Sequence, residues 1–132
     1  MNAVAIRRLR LGPYWWTGGV LLALAILAGS LAAPSEVSPV HVSDKVQHFA
    51  GYGALSFWFA GLLERNRYPV LALLLVVFGV AIEGLQLAMG LGRSADWRDV
   101  VANAAGIATA IALAYAGLGA WMLYVERRLG IT

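Results

Sequence analysis

The 132-residue sequence is 61% hydrophobic and only 13% charged, with a mean hydropathy of +0.73. A soluble domain of this size buries only part of its chain and cannot hide so much apolar surface, so lipid has to cover the rest. The net charge of +3 does not mark a nucleic-acid binder, because the basic residues sit in short clusters between apolar runs and form no basic face interleaved with aromatics.

The first apolar run predicts a helix over about 14–33, long enough to cross a ~30 Å hydrocarbon core. Pro13 suits its first turn, and Tyr14, Trp15 and Trp16 resemble an interfacial anchor. Arg7, Arg8 and Arg10, the apolar stretch and then Ser30-Leu31-Ala32 also fit a cleaved signal peptide. The run is long for a signal core, which favours a retained helix. A second helix is expected over 46–63, interrupted by Gln47 and His48. A third is expected over 69–91, with Glu83 and Gln86 near its end. A fourth is expected over 97–124, with Asp99 and Asn103 in its opening turns and length enough to project or tilt. The expectation is an all-α, single-domain bundle of four transmembrane helices spanning residues 1–132.

Orientation follows from the short loops. Arg7, Arg8 and Arg10 precede the first helix, Arg65 and Arg67 separate the second and third, and Arg127 and Arg128 follow the fourth. Alternating helices put these segments on one side, and positive charge marks that side as cytoplasmic. Both termini are then inside.

The same alternation gathers the out-of-character polar residues on the opposite side. Asp44, His48 and Tyr52 recur at four-residue spacing and share a helix face. Glu83 and Gln86 share another. Asp96, Asp99 and Asn103 share a third. Glu83 lies about seven residues inside the third helix, roughly 10 Å deep. A lone carboxylate there costs about 2.5 kcal/mol or more, so it should pair, protonate or face a wet cavity. Arg93 is the expected partner, with Lys45 and His48 behind it. The structural readings are that Asp44 and Asp96 cap helices, that Gln86 and Asn103 tie helices together, and that Tyr52 and Trp97 are interfacial aromatics.

The segments Asp44-Lys45-x-x-His48-Phe49-x-x-Tyr52, Glu83-x-x-Gln86 and Arg93-x-x-Asp96-x-x-Asp99-x-x-x-Asn103-x-x-Gly106 together resemble the VanZ-like family, whose namesake is associated with resistance to teicoplanin. The resemblance spans Asp44 to Gly106. It implies a bacterial inner-membrane protein and supplies no reaction. Trp97 and Arg98 depart from the family pattern, which leaves Asp96 or Asp99 as the matching acid; the register with Asn103 favours Asp99.

Three functions are open to these residues. One is binding or remodelling of an anionic lipid-linked envelope component, such as a cell-wall precursor. Arg93 and Lys45 would hold phosphate, and Glu83, Gln86 and Asn103 would orient neighbouring groups. The second is a membrane-embedded enzyme using His48 or Glu83 for acid–base chemistry, His48 being oriented by Asp44 or Glu83. No serine, threonine or cysteine nucleophile accompanies the cluster. The third is a structural ion-pair network. No cofactor is expected. With no cysteine and no HExxH spacing no metal is expected either, although His48, Glu83 and Asp99 could offer three ligands. Membrane lipids are the expected partners, nucleic acid is not, and an oligomer is open.

Overall fold

A computed structural model describes residues 6–32, 43–90 and 96–131. These form five α-helices: α1 Gly12–Leu31, α2 Asp44–Leu62, α3 Tyr68–Met89, α4 Trp97–Tyr115 and α5 Trp121–Arg128. Short 3-10 turns at Arg65–Arg67 and Leu118–Ala120 lead into α3 and α5. Among the described residues there is no strand, only an isolated bridge between Ile6 and Leu63. α1 and the segment Arg65–Met89 are each long and apolar enough to cross a membrane, and α4 with the bent segment after it adds a third if the pair forms one span. α2 is less apolar because Asp44, Lys45, Gln47 and His48 crowd its first turns. The chain is an all-α membrane protein.

Helical periodicity separates lipid-facing from buried positions. On α3, Val70, Leu73, Leu74, Val77 and Val80 are exposed, while Tyr68, Leu71, Leu75, Ile82, Glu83 and Gln86 are buried. The two sets recur at three- and four-residue steps, as one helix with an outer and an inner face requires. Glu83 therefore occupies an inner-face register. The closest pairing in the bundle is α2 against α4. It turns on Gly106, where an added Cβ would stand inside contact distance of the Phe49 carbonyl oxygen and 3.0 Å from the Gly53 nitrogen. Only glycine lets the two backbones approach so closely.

One end of the bundle collects the arginines. The Arg7 N–H donates to the Leu62 carbonyl at 2.9 Å, and the Arg7 guanidinium donates to the Tyr68 hydroxyl at 3.1 Å. Arg65 lies over the Tyr115 ring, 4.9 Å from its centre. Trp15, expected as an interfacial anchor, is instead packed among Trp58 and Trp121, with ring centres 5.9 and 5.5 Å away. Tyr14 remains exposed.

The fourth helix departs from expectation. It ends at Tyr115, and the following segment turns away by 86°. Gly117 makes this turn with φ +115, a left-handed conformation that side chains with a Cβ rarely adopt. α5 then folds across the arginine-rich end and presents Glu126 to the start of α1. Glu126 is 1% exposed. Its carboxylate accepts from the Arg10 and Leu11 backbone N–H groups and from Trp15 Nε1, each at 2.9 Å. Burial pushes its carboxyl up, but these three donors outweigh burial and hold it below the usual range.

Candidate functional site

At the opposite end, α2, α3 and α4 bring the polar residues together. Asp96 caps α4: its Oδ1 accepts from the Arg98 N–H at 2.9 Å. Its Oδ2 lies 2.8 Å from the Lys45 ammonium. That ammonium, with the Arg98 N–H, holds the Asp96 carboxyl below the usual carboxylate range. Lys45 also pairs with Asp99 Oδ1. Lys45 is thus committed to two aspartates and is not the partner of Glu83. Asp96 is partly exposed, whereas Asp99 is buried and is the acid facing His48.

His48 is 9% exposed. Its Nδ1 stands 2.9 Å from Asn103 Oδ1. A side-chain carbonyl oxygen only accepts, so Nδ1 carries the proton and donates. Asn103 therefore orients His48, in place of the Asp44 or Glu83 expected. The other ring nitrogen, Nε2, faces Asp99 Oδ2 at 3.7 Å and Asp44 Oδ2 at 3.9 Å. Neither distance is a hydrogen bond.

Below this level the polar column continues inward. Tyr52 is 1% exposed, a core residue and no interfacial aromatic. Trp97, by contrast, is exposed. The Tyr52 hydroxyl, the Ser56 hydroxyl and both Glu83 carboxylate oxygens are buried with no hydrogen-bond partner among the described residues. Asp99, His48 and Asp44 are within electrostatic reach of Glu83, and the Asp96 backbone N–H approaches its carboxylate without completing a well-formed hydrogen bond. The expected partner of Glu83, Arg93, lies outside the described residues. Ser56 was not singled out from the sequence, although it extends the four-residue stripe of Asp44, His48 and Tyr52. From Asp44 to Ser56 that stripe runs about 18 Å along α2, at 1.5 Å per residue. Gln86 donates to the Ser30 carbonyl at 2.6 Å and so ties α3 to α1.

A cavity of about 180 Å³ lies between α1 and α2. Ile26, Gly29 and Ser30 form one wall, and Gln47, His48 and Tyr52 the other. The histidine is therefore reached between two helices, through a cleft whose α1 side combines the apolar Ile26 with Ser30 and whose α2 side is mostly polar.

The family model described as VanZ/LLP1 matches residues 6–122. The chain belongs to the VanZ/LLP1 family. No curated protein and no solved structure matches it significantly. In this VanZ-family chain the matched region contains every residue of the polar column and ends just before Glu126. Among the described residues the column sets four carboxylates, those of Asp44, Glu83, Asp96 and Asp99, against the single ammonium of Lys45. Arg98 is turned over the Trp97 ring, 5.8 Å from its centre. Chemically the cluster offers an oriented imidazole with one free nitrogen, a buried acid and an excess of negative charge.

Proposed function

We propose that this VanZ-family protein binds or remodels an anionic, lipid-linked cell-envelope component at the polar end of its bundle, in the bacterial inner membrane. Four helices cross the membrane with both termini in the cytoplasm, and the site faces the extracytoplasmic side. The seven arginines Arg7, Arg8, Arg10, Arg65, Arg67, Arg127 and Arg128 support this orientation, because positively charged short segments stay on the cytoplasmic side. A link to teicoplanin resistance would follow if the component is a cell-wall precursor.

The observation that carries the reading is the cleft between α1 and α2, where the apolar Ile26 faces the polar side chains of His48, Gln47 and Tyr52. A ligand with a polar head and a hydrocarbon tail suits both walls, and it can enter sideways from lipid. Arg93, three residues before the Asp96 cap, is the cation assigned to the phosphate by charge-assisted hydrogen bonds. The test is binding of undecaprenyl phosphate to the detergent-purified chain, wild type against Arg93→Ala. Binding lost or weakened at least tenfold in the variant supports the reading. No binding by wild type, or equal binding by both, refutes it.

One observation favours a catalytic version. The His48 Nδ1 is occupied by Asn103 while Nε2 is free, the arrangement a general acid–base needs. His48→Gln would then retain the lipid while turnover of a lipid-linked diphosphate falls to background.

A further inference from the structure

We infer that Asp44, His48 and Asp99 form a binding site for a first-row divalent metal ion. The three residues offer one imidazole nitrogen and two carboxylate oxygens, all within 4.8 Å of one another. Asp44 and His48 sit one turn apart on α2, and Asp99 comes from the first turn of α4. The ligands thus come from two helices, which is why no single-helix motif reveals them.

Three features favour a metal over a simple ion pair. First, the histidine is prepared for it. With its Nδ1–H donated to Asn103, His48 keeps its lone pair on Nε2, which lies 3.9 Å from Asp44 and 3.7 Å from Asp99. Metal-ligating histidines are typically held this way, by a hydrogen bond from the other ring nitrogen. Second, the spacing suits coordination better than hydrogen bonding. Metal–ligand bonds of about 2.0–2.1 Å place tetrahedral neighbours about 3.3 Å apart. The observed 3.7 and 3.9 Å from His48 need about half an ångström of closure each, and the two carboxylates, within 4.8 Å of each other, need at most about 1.5 Å, within the reach of side-chain rotation. Third, Glu83 is 6% exposed, and among the described residues no side chain hydrogen-bonds its carboxylate; the Asp96 backbone N–H approaches it but is too poorly placed for a well-formed bond. It lies within electrostatic reach of all three ligands. A dication there compensates a carboxylate that is otherwise buried without a cation beside it among the described residues.

Lys45 does not block the site, because it takes Asp99 through Oδ1 while the metal takes Oδ2. The nitrogen ligand favours zinc, iron, nickel or copper over magnesium or calcium, which prefer all-oxygen sets. Three protein ligands leave at least one position open for water or an oxyanion. The inference stands on this coordination geometry and does not require the lipid reading. Where both hold, the open position would receive a phosphate oxygen, and the dication would offset the surrounding carboxylates that otherwise repel it.

The test is calorimetric titration of the chelator-treated, detergent-purified chain with Zn2+ and with Mg2+, in the absence of lipid. One Zn2+ per chain and at least tenfold weaker Mg2+ binding are expected. Asp44→Asn should weaken Zn2+ at least tenfold, and because Asp44 is exposed this variant leaves packing alone. Glu64→Gln, an exposed acid at the other end, should bind as wild type does. Absence of Zn2+ binding by folded wild type, or equal binding by Asp44→Asn, would overturn the inference. Repeating the lipid titration with and without Zn2+ separates the two proposals. Zn2+ binding without lipid binding rejects only the lipid reading, and lipid binding without Zn2+ binding rejects only the metal.

Discussion

Gly106→Ala tests the contact that holds the site together. The added Cβ would stand 3.0 Å from the Phe49 carbonyl carbon, and closer still to its oxygen. Carbon–carbon contacts are most favourable at about 3.5–4.0 Å, so α2 and α4 must part by about 0.5–1 Å. The obstacle is backbone, which cannot rotate away as a side chain can. A gap of that size forfeits roughly a quarter to a half of each dispersion contact along the rest of the interface. Overpacking of this kind costs about 1–3 kcal/mol, and a rigid backbone obstacle belongs at the upper end. Phe49 follows His48 directly, and Gly106 lies one turn beyond Asn103, so the separation falls on the His48–Asn103 hydrogen bond. Gly53→Ala is the matched comparison. Its Cβ would meet the Gly106 carbonyl oxygen at 3.5 Å, an ordinary contact, and alanine favours helix by up to about 1 kcal/mol. Thermal unfolding in detergent should therefore show Gly106→Ala lower by on the order of 10 °C, with Gly53→Ala unchanged or slightly higher. Equal melting of the two variants, or a greater loss in Gly53→Ala, would refute the close approach.

Glu126→Gln leaves a single acceptor oxygen for three donors and sets an amide N–H₂ against backbone N–H groups. With hydrogen bonds to a charged group each contributing about 1.5–3 kcal/mol, a loss of roughly 2–4 kcal/mol and release of α5 are expected. Trypsin cleavage after Arg127 and Arg128 should quicken, and unchanged cleavage would count against the clamp. The Glu126 carboxyl is held below its ordinary 4.5, so its contribution is full above that pH and fades as pH falls through the lower folded-state value. Melting of wild type in detergent should therefore approach that of Glu126→Gln only below about pH 4.5, and a wild-type advantage that persists well below that pH would count against the clamp. Glu83→Gln separates a site from a structural network. It keeps the shape and removes the charge, so a functional acid predicts normal expression and melting with lost lipid or metal binding. A collapse in stability, with function merely following abundance, would favour the structural account.

Apolar runs of membrane-crossing length made the helical character legible, because a span must satisfy its backbone internally and coat itself with hydrocarbon. The bend after Tyr115 was not legible in the same way. Alanine and leucine continue the apolar pattern on both sides of it, and the left-handed Gly117 is one among 15 glycines. Glu126 was missed for a related reason. Beside Arg127 and Arg128 it reads as part of a solvated tail, and only the fold-back of α5 onto the start of α1 buries it. Spacing on one helix can place residues on a face, but it cannot say which partner a side chain takes from another helix. Lys45 therefore went to Asp96 and Asp99 rather than Glu83, and Asn103 took the orienting role on His48.

What the spacing did contain is the stripe Asp44, His48, Tyr52 and Ser56 on one face of α2. In hydrocarbon that stripe is untenable, since each unsatisfied polar group there costs several kcal/mol. It persists only because α3 and α4 cover it, and the covering is closest where Gly106 meets Phe49. The glycine and the polar column are therefore one feature. The bundle closes tightly at that crossing, and just beyond it, toward the Lys45 end, it holds an oriented imidazole among carboxylates. A helix pair built for stability alone would have filled those positions with apolar side chains of similar volume, which serve packing at least as well. Retention of four polar residues at helical spacing, three of them at least nine-tenths buried, is the physical argument behind the proposal of a ligand at the column, and Glu83→Gln decides between it and a packing network.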